Sequence, residues 1–186
     1  MKLQRPSAMA FKGLLAAALV LPGAAGAAGA AGACELSVGQ AVIDYGQISP
    51  HELIEGADGR QEAGARTTSI QISCAEPRSF HLRLDAESAL NPEEAAFGPH
   101  GSIRFRLSEA RVDGRIVQLA VDQGVPSQSV LLSPTFTVAA VHGGAPVTGS
   151  EFTAQLQIEP LFDAAASKIR DQQRPRLNAR LILSSD

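Results

Sequence analysis

Thr68-Ser69-Ile70-Gln71-Ile72-Ser73-Cys74 alternates apolar and polar residues without a break. Side chains on a strand switch face at every residue, so Ile70, Ile72 and Cys74 share one face and Ser69, Gln71 and Ser73 the other. That is the pattern of a half-buried strand. Phe80-His81-Leu82-Arg83-Leu84-Asp85 and Ile103-Arg104-Phe105-Arg106-Leu107 repeat it. Val42-Ile43-Asp44-Tyr45 reads as a further strand, stopped by Gly46. Asp113-Gly114 is a hairpin turn signal, with Ile116 and Gln118 on the return strand. Gln128 to Leu132, Thr135 to Val141, Phe152 to Ile158 and Arg176 to Ser184 complete the set. In the last of these, Leu177, Ala179, Leu181 and Leu183 fall on one face and Asn178, Arg180, Ile182 and Ser184 on the other.

Turn-rich separators stand between these runs, among them Gly56-Ala57-Asp58-Gly59, Gly98-Pro99-His100-Gly101 and Gly143-Gly144-Ala145-Pro146. Residues 88–100 read as a long loop. Helix is confined to one turn over Pro50–Glu55 and two turns over Phe162–Arg170. About eight to ten short strands at this spacing predict an all-β sandwich.

The N-terminus reads as an export signal. Lys2, Arg5 and Lys12 give a positive region, Leu14 to Leu21 a short apolar core, and a Gly/Ala run ending at Ala33 several small-x-small cleavage sites between residues 24 and 33. The apolar run is too short for a membrane span, the alternative reading. The expected organisation is a signal peptide over 1–33 and one β-sandwich domain over 34–186. Cys34 and Cys74 are the two cysteines. In an exported chain such a pair predicts one structural disulfide. Acylation of Cys34 as a lipoprotein is the competing reading, and it would leave Cys74 unpaired.

Removing 1–33 takes away three of the 16 Lys+Arg and none of the 19 Asp+Glu, a net charge of −6. That disfavours nucleic acid and anionic membrane as partners. Trp is absent and Tyr45 is the one tyrosine, so a sugar-binding platform of exposed Trp or Tyr is hard to assemble.

No set of residues in the sequence has the spacing of an active site. His51, His81, His100 and His142 have no ligand partner at metal-binding spacing. Glu93-Glu94 adjoins a proline and reads as a solvated loop pair rather than an acid–base dyad. No G-x-S-x-G, Walker A or G-x-G-x-x-G occurs. Asp44-Tyr45-Gly46 reads as a core plug and chain turn rather than a ligand site. The expectation is a protein with no catalytic residues, no metal and no cofactor.

A cysteine at the expected mature start, a run ending in Asp44-Tyr45-Gly46, then alternating residues into Cys74 followed by Pro77, Phe80 and Leu82, resembles bacterial fimbrial (pilus) subunits of the chaperone–usher type. The resemblance is to fimbrial-type proteins with a Cys…Asp-Tyr-Gly…Cys signature. Ile158-Glu159-Pro160 before a last apolar strand is similar to their C-terminal part. The resemblance implies an immunoglobulin-like sandwich that lacks one strand, handled by a periplasmic chaperone and an outer-membrane usher. Other pilus subunits would complete it by strand addition, and the protein would pass from periplasm to fimbrium or cell surface. Leu177, Ala179, Leu181 and Leu183 are then the residues expected to line the strand-pairing edge. The chain departs from such subunits before Cys34, where the arm left by even an early cleavage, residues 23–33, is Gly and Ala only. An arm of that kind cannot fill apolar pockets. Two expectations remain open: a fimbrial component that accepts a strand without donating one, as at a tip, and a self-sufficient exported sandwich that binds a ligand or a protein.

Overall fold

The computed structural model describes residues 34–46, 48, 53–56, 58–122, 124–163 and 177–184. The expected signal segment 1–33 and His51 lie outside them, as do residues 164–170 of the segment expected to be helical. In chain order the strands are β1 (Cys34–Val38), β2 (Ile54–Glu55), β3 (Gln61–Glu62), β4 (Arg66–Ser79), β5 (His81–Asp85), β6 (Ala95–Ala96), β7 (Gly101–Val112), β8 (Arg115–Ile116), β9 (Gln118–Val121), β10 (Ser129–Leu132), β11 (Val138–His142), β12 (Ala145–Pro146), β13 (Thr148–Phe162) and β14 (Arg180–Ser184). The described residues contain no helix. Among the described residues nine strands are longer than two residues, and all the pairing is antiparallel.

Two sheets form the sandwich. In the first the long strands run β1-β4-β13-β7-β10, and in the second β14-β5-β11-β9. The alternation read from the sequence decides what lies between them. Ile70 and Ile72 of β4, Leu107 of β7 and Phe152 of β13 point inward from one sheet; Leu82 and Leu84 of β5, Leu119 of β9 and Val138 of β11 do so from the other. All are essentially inaccessible to water. Phe80, at the step from β4 to β5, meets Phe152 with ring centroids 5.4 Å apart. Each such side chain contributes roughly 1.5–3 kcal/mol through burial.

Several expectations need correction. Residues 42–45 form no strand. The ladder with β4 ends where Gly39 N–H donates to Ser69 O at 2.9 Å and Gln40 N–H to Thr68 Oγ1 at 2.8 Å. Beyond it Ile43 packs on the core while Val42 is 78% exposed, so the apolar pattern serves a covering segment rather than a ladder. Ile54–Glu55 belongs to a small β-hairpin, not to a helical turn, and Phe162 ends a strand. Residues 88–100 are not wholly loop, because Ala95–Ala96 pairs with β7. The Asp113-Gly114 turn is where expected, both residues at positive φ (48° and 75°). Its return strand is only β8; after Val117 the chain crosses to the other sheet as β9. Pro160 is accommodated within β13 because it falls between two ladders: that with β4 ends at Ile158, and that with β3 begins at Leu161.

Candidate functional site

Among the described residues, the topology leaves one side of the sandwich open. At the other side the edges meet: β9 and β10 are consecutive in the chain, and Leu119 bridges Ser127 just before β10. The opposite margins of the two sheets are therefore β1 and β14. Strand β14 pairs with β5, Arg180 opposite Asp85 through Ser184 opposite His81. Strand β1 pairs with β4, Cys34 opposite Cys74 through Val38 opposite Ile70. Among the described residues neither β1 nor β14 has a partner strand on its other side. Each presents a row of main-chain N–H and C=O groups there, the groups that template pairing with another strand.

The side chains along this opening are apolar and incompletely covered. Leu181 and Leu183 lie opposite Leu84 and Leu82, so they face the core; both are half-buried, as is Leu177 before the strand. Ala179 is exposed and precedes the strand. Across the opening, Leu36 of β1 is also half-buried against the core. Ile182 is half-buried on the outer face, beside Arg83.

Cys34 and Cys74 form a disulfide with Cα atoms 4.1 Å apart. They are register partners, so the bond fastens the start of the edge strand β1 to its neighbour. Tyr45 fastens the segment that follows. Its hydroxyl donates to Ile158 O at 2.9 Å, and the Arg66 guanidinium lies 5.8 Å from its ring centroid. Burial pushes the phenol up to about 12, against the opposing pull of the Arg66 charge. Asp44 Oδ1 accepts from Gly46 N–H at 2.7 Å, which closes the turn. Tyr45, Ile48, Ala63 and Arg66 line a shallow depression of about 230 Å³.

One polar cluster was not foreseen. Glu94, expected in solvent, is 1% exposed. Arg60 donates to both its oxygens (2.7 and 2.9 Å), Arg104 to Oε1 (3.1 Å) and Ser102 to Oε2 (2.5 Å). Burial raises the carboxyl, but these hydrogen bonds and the two guanidinium charges outweigh it and hold the pKa at about 2. Asp58 binds Arg60 at 2.8 Å, and its own carboxyl is lowered chiefly by that hydrogen bond. Glu159 lies 3.8 Å from Arg104. The cluster ties the β2–β3 hairpin and the β6 ladder to β7. Both carboxylate oxygens of Glu94 and both of Asp58 are met by donors, an arrangement that fixes structure. Glu93 is exposed, as are His100 and His142. Among the described residues no group of three or more His, Cys, Asp or Glu could hold a metal, and no helix is long and apolar enough to cross a membrane.

The sequence matches no protein-family model and no curated protein. Among solved structures, the chain is similar to one titled "Crystal structure of the P pilus rod subunit PapA", at 14% identity over 82% of this chain and 99% of that one, with a TM-score of 0.45.

Proposed function

We propose that the protein is an exported fimbrial-type subunit whose β14 edge accepts a strand from another chain. The observation that carries this reading is the edge of β14, which has no partner strand among the described residues, with half-buried Leu177, Leu181 and Leu183 beside it. Pairing there would satisfy the main-chain groups and cover the leucines at once, the two sources of affinity in strand addition. The Cys34, Asp44-Tyr45-Gly46, Cys74 signature supports the same reading. In it a periplasmic chaperone and then another pilus subunit occupy the edge in turn, after delivery to an outer-membrane usher. The protein's work is assembly or adhesion, with no catalysis, metal or cofactor. It leaves the periplasm for the cell surface.

The test is capture. The full chain is expressed in the periplasm with a fimbrial chaperone encoded beside it, and the complex is pulled down. Capture by the chaperone, lost in Leu181→Asp and kept in Ser108→Asp on the far sheet, is the expected result. A stable monomer that ignores both chaperone and apolar strand peptides would refute the proposal, and would favour the self-sufficient binding module.

A further inference from the structure

Resting on the strand-acceptor reading above, the geometry points to a second contact: the outer face of β14 selects an incoming strand with acidic side chains on its solvent side, Arg180 being the selecting group. The core-facing side of the opening can ask only for apolar residues at alternate positions. Discrimination between strands that meet that demand must come from the other face.

That face is set by the β14–β5 register. Leu181 and Leu183 point inward, so Arg180, Ile182 and Ser184 point outward, with Asp85, Arg83 and His81 opposite them. Arg180 and Arg83 are both exposed, and neither is in an ion pair among the described residues. Asp85, the register partner of Arg180, is the one carboxylate of these two strands. Among the described residues Arg83 and Asp85 offset each other one strand further in, so Arg180 sets the charge that an added strand would meet. A strand added to the free side of β14 places its outward residues within about 5 Å of Arg180, Cβ to Cβ, or within about 8 Å on the diagonal. Outside the Debye length of about 8–10 Å the rest of the protein counts for little.

The overall charge predicts the opposite preference. The chain without residues 1–33 carries −6, with histidine neutral, and on net charge alone would favour a basic strand. The two readings separate cleanly. Peptides that alternate valine with glutamate, with serine or with lysine are titrated into the purified protein, with binding read by anisotropy of a dye on the peptide. The glutamate peptide should bind roughly 3- to 10-fold more tightly than the lysine peptide, with serine between. The gap should narrow in high salt, and Arg180→Glu should reverse the order. Equal affinities, or a preference for lysine, would overturn this inference and leave the acceptor reading standing. Binding of none of the three would overturn both.

Discussion

Glu93 and Glu94 are neighbours of the same residue type, yet replacing them should have very different consequences. Glu94→Gln keeps the shape of the side chain and removes its charge. Arg60 and Arg104 then face a neutral amide where they had a carboxylate. Removing one member of a buried ion pair costs about 3–5 kcal/mol. Here the two arginine side chains stay 24% and 21% exposed, with Asp58 and Glu159 still near them, so water and the remaining acids offset part of that. The expected loss is about 2–4 kcal/mol at neutral pH. Glu93→Gln should stay within about 0.5 kcal/mol of the parent.

The pH dependence gives a second handle. Folding lowers the Glu94 pKa from 4.5 to about 2. A depressed carboxyl contributes stability that is fully present above its unfolded pKa and fades as pH falls toward the folded value. At 1.36 kcal/mol per unit the contribution is about 3 kcal/mol, and about 2 kcal/mol of it should be gone by pH 3. The difference between parent and Glu94→Gln should shrink by that amount. Urea unfolding of both proteins at pH 7 and pH 3, compared at a common m-value, reads it directly. A Glu94→Gln protein as stable as Glu93→Gln at neutral pH, or one with the parent's full acid sensitivity, would refute the assignment of Glu94 as the buried anchor.

Three further outcomes are expected. Replacing Cys34 and Cys74 together by serine removes a closure between residues 40 apart in sequence; the chain-entropy relation puts the loss at about 4 kcal/mol, and a loss below about 1 kcal/mol would show that β1 holds without its bond. The chain has one tyrosine and no tryptophan, so phenolate absorbance reports Tyr45 alone; its midpoint should lie near 12, and an ordinary midpoint near 10 would mean that the ring is not held under Arg66 against Ile158. Leu181→Asp forces a carboxylate toward the core beside Leu84 and should reduce soluble yield, whereas Arg180→Asp on the outer face should not; equal yields would place the strand in another register.

What could be read from the sequence was whatever repeats with period two. Ile70, Ile72 and Cys74, or Leu82 and Leu84, announce their face because the pleat allows no other arrangement. The Asp113-Gly114 turn was legible because positive φ at both positions restricts the residues that serve there. Residues 42–45 misled for the same reason: alternation shows that every second residue seeks cover, not that a partner strand is in reach. Glu94 was hidden because its environment is built from elsewhere. Arg60 is 34 residues away and Ser102 and Arg104 are 8 and 10 away, and the local Asn91-Pro92-Glu93 context is that of a solvated turn. Arg60 itself sits beside Asp58-Gly59, where nothing but the folded chain distinguishes a surface turn from an anchor. The open side was not legible from local pattern either, since it follows from which strands close the sandwich at β9 and β10.

The placement of β13 governs the order in which the molecule can be made. It lies between β4 and β7, joined to both along most of its length, yet it comes after both in the chain. Until residues 148–162 emerge, the two strands that precede it have no common neighbour, and each waits with an open edge. Closing those long-range pairings is slow relative to local turns, so the exposed interval is longest for the half of the chain that is delivered first. A chain released before Thr148 would hold β4 and β7 with nothing between them, and would be a substrate for proteases and for edge-to-edge aggregation rather than a smaller version of the same fold.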